Sequence, residues 1–295
     1  MLFTAGAQTL QQDLSLALIK LQADKQFNHA ALSMYVLETK TGKVVFEKNA
    51  QLGMAPASCQ KIVTSAAAFE LLGKNYRFKT VLGYNGSMSN DVLNGSLVVK
   101  GYGDPSFGSE RWAITKPAKL NDLILSALQK AGIKKISGNI IVDDLQFGLQ
   151  PMPDGWIWQD MGNYFGAGAR GFNWHENQYD LLLRSGAVIG TITGVVATQP
   201  PGFEERLINQ VTAAAKGSGD NAYLYAAPYS KNIFATGTIP VNETAFKISG
   251  AMPDAAAAFA LQLQDFLVSK NMMSATAANS FGNLLVNRQP LPASV

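Results

Sequence analysis

Histidine and cysteine are almost absent from this chain of 295 residues, which has two of the first, His29 and His175, and one of the second, Cys59. Neither histidine sits in a recognisable triad, so activation of a nucleophile by imidazole is not the expected chemistry. A single cysteine excludes an intramolecular disulfide, which fits the cytoplasm and many exported bacterial proteins alike. His175-Glu176 has no partner ligands at a useful spacing, so no metal and no cofactor is expected. Charge is also sparse and balanced, with 24 basic against 21 acidic residues and no Lys/Arg-rich run. Nucleic acid is therefore not an expected partner. No apolar stretch reaches the roughly 18 residues of a membrane span. The first residues, Met1 to Gln8, have neither a basic segment nor a full apolar segment, so no complete signal peptide is read there. Ala5-Gly6-Ala7 does have the small residues of a cleavage site, and the reading of this start stays open.

What the chain has is apolar mass. It is 47% hydrophobic and 15% charged, enough to bury sizeable cores and to exclude disorder by composition. Its length suits two domains or one large one. Leu10, Leu14, Leu18 and Leu21 form a helical stripe across residues 9–27. Residues 31–38 and 43–47 read as two strands joined by the turn Thr39-Lys40-Thr41-Gly42. A helix is expected from Pro56 to Leu72, apolar at Ile62, Val63, Ala66, Ala67, Phe69 and Leu72, with Gly73 as its C-cap. From about Arg77 the texture becomes mostly β. Strands are expected at 80–84, 95–101, 139–142, 179–184, 188–197, 222–226, 233–239 and 245–249, with one helix at about 119–131. Residues 151–177, rich in Gly, Trp and Asn, read as ordered loop. Pro253-Asp254 opens an Ala-rich helix, and the tail Arg288-Gln289-Pro290-Leu291-Pro292 is Pro-rich. A β-rich stretch between two helical segments suggests an insertion into another domain.

The sharpest local signal is Pro56-Ala57-Ser58-Cys59-Gln60-Lys61. Ser58 and Lys61 are three residues apart, close to one helical turn, so both side chains share a face. A serine hydroxyl needs a base to become a nucleophile. Lysine is that base when burial disfavours its charged form, and a helix N-terminus favours the negative charge that develops. Serine-lysine pairs are a known variant of triad logic. About one Ser-x-x-Lys match is expected by chance in such a chain, and this chain has one. The alternative is a serine cap followed by a solvated lysine. Cys59 lies about 100° around the helix from Ser58. With no histidine nearby to activate it, Cys59 reads as a small buried residue.

These residues resemble the penicillin-binding D-alanyl-D-alanine carboxypeptidase/endopeptidase family, serine peptidase family S13, the low-molecular-mass class C type. Gly101-Tyr-Gly-Asp-Pro-Ser106 is similar to the family's Gly-Asp-Pro segment. Gly155 to Gly168, with Phe172-Asn-Trp-His-Glu-Asn177, resembles its Trp/Tyr-rich loop, and Gly237-Thr-Ile-Pro240 a strand leading back toward the catalytic domain. The likeness runs from about residue 10 to the end. It implies an α/β (α+β) fold. A partial, penicillin-recognising catalytic domain of the serine-transpeptidase type would be split by a long, mostly β two-part insertion. Residues 1–76 would be the first part of that domain, 77–255 the insertion and 256–295 the return. It further implies export to the periplasm or beyond, peptidoglycan peptides as substrate, and β-lactams as acylating inhibitors. Ser58 would attack the D-Ala-D-Ala carbonyl with Lys61 as base. Trp156 and Tyr164 resemble residues near the substrate side-chain pocket, with ordinary loop anchoring as the alternative.

The family's site also uses Ser-x-Asn and Lys-Thr-Gly, in that order after the serine. Lys40-Thr41-Gly42 has the letters of the second but precedes Ser58 in a hairpin turn. Ser137-Gly138-Asn139 has the letters of the first but reads as strand entry. Neither is assigned a catalytic role. The expectation is a C-terminally truncated serine D-Ala-D-Ala carboxypeptidase, inactive alone. The other readings are a non-catalytic module binding peptidoglycan or a partner, and a β-lactamase- or esterase-like relative.

Overall fold

The computed structural model of the chain describes residues 9–274. Ala5-Gly6-Ala7 and the Pro-rich tail lie outside the described residues. Two compact units divide the chain between Tyr76 and Arg77.

In the first unit, Thr9 starts helix α1 (Leu10–Gln22) through a capping box with Gln12. Reciprocal side-chain bonds there satisfy two otherwise orphaned N–H groups. Of the expected leucine stripe only Leu18 is buried, and Leu10 and Leu21 face solvent. Strands β1 (Met34–Leu37) and β2 (Val44–Lys48) pair antiparallel. Their turn closes where the Gly42 N–H reaches the Glu38 carbonyl at 2.8 Å and Gly42 takes φ +71°. Lys40-Thr41-Gly42 is thus turn, as read. Helix α2 (Gln60–Leu72) follows and stops at Gly73, where φ is +79°. Every side chain of α2 is exposed, including Ile62 at 73%, Val63 at 70% and Leu71 at 83%. The alanine run makes the helix locally; burial needs a neighbouring layer.

The second unit contains β3 (Thr80–Tyr84), β4 (Ser87–Ser89), β5 (Val92–Asn94) and β6 (Leu97–Gly101). Then come α3 (Pro117–Lys130), β7 (Lys135–Ile136), β8 (Ile140–Asp143) and the short helix α4 (Trp158–Met161). The rest is β9 (Gln178–Arg184), β10 (Gly194–Gln199), β11 (Leu207–Asn209), β12 (Thr212–Ala214), β13 (Asn221–Tyr225), β14 (Ile233–Pro240), β15 (Phe246–Ala251) and α5 (Ala255–Ser269). These strands form four small sheets, ordered β3-β6-β8, β4-β5-β7, β10-β9-β15, and β11-β14-β12 with β13 also on β14. β6 and β8 are parallel, so the chain must cross over between them, and α3 lies on that crossover. Pro117 occupies its first turn, and Leu120, Ile124 and Leu128, four residues apart, form its buried face.

The expected strand over 188–197 begins only at Gly194. Before it, the Gly190 and Thr193 N–H groups bond Ala213 and Val211 outside any regular ladder. The loop over 151–177 is ordered but includes α4 and two 3₁₀ turns. Residues 256–274 consist mainly of α5. It begins at Asp254, whose carboxylate caps the Ala257 N–H at 3.0 Å. Its first six residues are all buried, and Phe259, Leu263 and Leu267 join the second unit's core. There Phe259 meets Phe172 at 4.8 Å, Trp174 at 4.9 Å and Phe107 at 5.7 Å between ring centroids.

Gly101, the last residue of β6, lies so close to the 171–172 backbone that an added Cβ would sit 2.3 Å from the Gly171 oxygen. Neither partner is a flexible side chain. Gly101→Ala is expected to destabilise the chain by about 3 kcal/mol, the upper part of the overpacking range, read as a lower denaturant midpoint.

Candidate functional site

Ser58 sits in a 3₁₀ turn, Ala57–Cys59, immediately before α2. The Cys59 N–H closes that turn on the Pro56 carbonyl at 3.0 Å. Ala57 takes φ +44°, the left-handed region. That conformation costs an L-residue about 1–2 kcal/mol, and such strain collects at functional sites. One turn later the Lys61 Nζ donates to Ser58 Oγ at 2.9 Å. The spacing in sequence therefore does bring nucleophile and base candidates into direct contact. Ser58 and Lys61 are both exposed. Cys59, expected as a small buried residue, is exposed too. The reason is that of α2, because among the described residues no layer covers this face.

Trp156 and Tyr164 belong to the second unit. Both are large and exposed, at 41% and 52%. Tyr164 stands edge-on to Phe165 at 5.3 Å and lines a small cleft with Asp220, Lys247 and Ser249, which Trp156 does not line. The loop around them is anchored by Asn163. Its Nδ2 donates to the Gln159 carbonyl at 2.6 Å, and its Oδ1 accepts from the Leu224 N–H at 3.0 Å.

The Gly-Asp-Pro segment and the end of the Trp/Tyr-rich loop meet. Asp104 Oδ1 accepts from both the N–H and the Oγ of Ser106, at 2.9 and 2.7 Å, and Asn173 Nδ2 donates to the Asp104 carbonyl at 3.1 Å. His175, Glu176 and Asn177 have φ of 50°, 58° and 56°, three left-handed residues in a row. Asparagine tolerates this region; histidine and glutamate do so much less readily. The turn is held from both sides. Buried Asn177 donates to Gly168 and Asn173, and Glu176 Oε1 accepts from Ser109 Oγ at 2.6 Å and Arg111 Nε at 2.7 Å. Burial raises the Glu176 pKa, but the bonds from Ser109 and Arg111 outweigh it and hold the carboxyl below its ordinary range. Sequence reasoning found the segment and missed this clamp, because its partners are 67 residues apart.

Burial pushes the His175 imidazole below its ordinary value of 6.5, against weaker upward pulls from Glu110, Gln262 and Glu176. The folded state thus prefers neutral His175, and the unfolded chain takes up its proton first as pH falls. Stability present above pH 6.5 is lost on acidification through and below that value. The melting temperature is expected to fall between pH 7.5 and about 5, with a shallower slope in His175→Gln. Glu176 and Glu204, both held below 4.5, add their own loss only at more acid pH.

Ser137-Gly138-Asn139 joins β7 to β8, with the Ser137 N–H on the Leu93 carbonyl and the Asn139 N–H on Ser96 Oγ. Ser230-Lys231-Asn232, a further Ser-x-Asn, is a tight turn in which Ser230 Oγ donates to the Asn232 carbonyl at 2.6 Å.

Residues 14–286 match the D-Ala-D-Ala carboxypeptidase 3 (S13) family. The chain belongs to that family. It is 28% identical over 190 residues to D-alanyl-D-alanine carboxypeptidase DacB of Haemophilus influenzae, covering 64% of this chain and 37% of the relative. It is 23% identical over 223 residues to the D-alanyl-D-alanine carboxypeptidase of Actinomadura sp. strain R39, covering 74% of this chain and 40% of the relative. The S13 chain thus spans about two-fifths of the curated relatives it matches. The crystal structure of Haemophilus influenzae penicillin-binding protein 4 superposes with TM-score 0.60 at 25% identity, covering 80% of this chain and 49% of that one. The same protein in complex with a novel β-lactam gives TM-score 0.56 at 23% identity. The mixed α/β architecture with several small sheets is therefore that of a solved family member. The third reading of the sequence, a β-lactamase- or esterase-like relative, gives way to S13 membership. Among the described residues, no helix is long and apolar enough to cross a membrane.

Proposed function

We propose that this S13 chain is part of a serine-type D-Ala-D-Ala carboxypeptidase acting on peptidoglycan peptides, with Ser58 as nucleophile and Lys61 as its base. The observation that carries this reading is the 2.9 Å contact from Lys61 Nζ to Ser58 Oγ, beside the strained Ala57. In the reaction, Lys61 takes the hydroxyl proton while Ser58 attacks the carbonyl of the terminal D-Ala-D-Ala bond. The amine of D-alanine then leaves with a proton, and water resolves the acyl-enzyme. β-Lactams acylate the same oxygen in this proposal, and the protein acts outside the cytoplasm. Residues 1–76 belong to the catalytic domain, 77–255 are inserted into it, and the chain from 256 leads back toward it. The exposed apolar face of α2 supports a helix that sits within a larger domain.

The Ser-x-Asn and Lys-Thr-Gly motifs are assigned to no residues of this chain. Acylation by a fluorescent penicillin is expected at Ser58. Mass spectrometry of the labelled peptide checks it. A folded chain that takes no label favours the non-catalytic binding module.

A further inference from the structure

The second unit contains a cleft of about 440 Å³ to which neither the serine turn nor Trp156 and Tyr164 contribute. That volume suits a small ligand. Two large aromatic side chains in its wall, Trp112 and Phe147, are 54% and 53% exposed. Pro105 adds apolar surface beside them, and the Phe147 ring lies directly over Gly103, where a Cβ would clash at 2.6 Å.

The charges in the wall do not balance. Arg170 is 4% exposed and has no ion pair among the described residues. Its Nη2 donates to the Pro253 carbonyl at 2.7 Å, its guanidinium stands 4.8 Å from the Tyr229 ring, and its Nη1 has no hydrogen-bond partner. A buried cation without a counter-charge is costly. Asp254, the next residue after Pro253, caps α5 and interacts with Arg206. Arg111 is the accessible counterpart, with 68% of its side chain exposed. Its Nε is fixed by Glu176, itself fixed by Ser109, while its two terminal nitrogens have no partner among the described residues. The wall thus carries two guanidiniums against one carboxylate, and one of those guanidiniums presents an oriented, unused fork.

We propose that this cleft binds a short peptide through a free carboxylate, gripped by the Arg111 fork, with the peptide's apolar side chains against Trp112 and Phe147. A planar guanidinium matches a carboxylate two bonds at a time. Arg170 acts by its field alone, because its free Nη1 is itself buried. The left-handed turn at 175–177 has a role here, since it delivers Glu176 to Ser109 and Arg111 and so pre-orients the fork. The proposal does not need the acyl-enzyme reading to hold.

The test is calorimetric titration of the full chain with N-acetyl-Leu-Ala-Ala as the free acid and as the C-terminal amide. The acid binds and the amide binds at least about tenfold more weakly. Arg111→Gln weakens the acid by a similar factor, Phe147→Ala weakens both peptides, and Ser58→Ala leaves binding unchanged. Arg111 and Phe147 are exposed, so both variants fold, and circular dichroism checks that they do. Equal binding of acid and amide, no binding of the acid at millimolar concentration, or an Arg111→Gln variant that binds like the parent each overturns the proposal. Binding lost in Ser58→Ala alone does so too, and places the peptide at the serine instead.

Discussion

Ser58→Ala removes covalent capture of a fluorescent penicillin altogether, with the fold unchanged. The residue is exposed and its hydroxyl accepts a bond from the equally exposed Lys61, so the substitution leaves no buried group unsatisfied. Nothing else in the turn can replace it. Cys59 is exposed next door, but it points about 120° away around the 3₁₀ turn axis. A label that moves to Cys59, or that persists unchanged in the variant, sinks the assignment of the nucleophile. Lys61→Met is the companion measurement. It keeps most of the side chain's length and removes the amine, and acylation is expected to slow by about 10²–10⁴, the usual worth of a positioned general base. A loss in Ser58→Ala without one in Lys61→Met would retain the serine and reject the lysine as base.

Phe259→Ala is the largest expected stability effect, about 3–5 kcal/mol. Phe259 is 1% exposed and holds three aromatic rings at once, Phe107, Phe172 and Trp174. It lies on α5, whereas Phe172 and Trp174 come from the loop before β9. Removing the ring therefore opens a cavity among three aromatic rings, at the junction of two segments nearly 90 residues apart, which the alanine-rich face of α5 is too small to fill. Trp174 Nε1 donates to Gln262 Oε1 at 3.0 Å, one turn along the same helix, and limits how far the cluster can collapse. Urea unfolding followed by tryptophan fluorescence checks it. A change below about 1 kcal/mol would mean that the cluster repacks around the gap.

The long elements of the fold were legible in the residues. The hairpin at 34–48, α2, α3, α5 and strands β3, β9, β13 and β14 all fall within a few residues of where periodicity, turn glycines and caps put them. Strands β4, β5, β7, β11 and β12 were not, and each has only two or three residues. Alternation cannot show in so few positions, and such strands exist because a neighbour offers a ladder, as β14 does for β11 and β12.

The same division holds for chemistry. Ser58 and Lys61 are neighbours in sequence, so one helical turn of backbone geometry was enough to predict their contact. Their exposure is not set by that local geometry, because burial depends on what other elements do. The Ser109-Glu176-Arg111 clamp and the buried charge of Arg170 were also out of reach. Their partners are brought together by chain crossings and not by any local period. Local sequence thus determined the serine turn, the helices and the family. Only the tertiary structure decided which faces are covered and which charges are left without a partner, since both follow from contacts between residues distant in the chain.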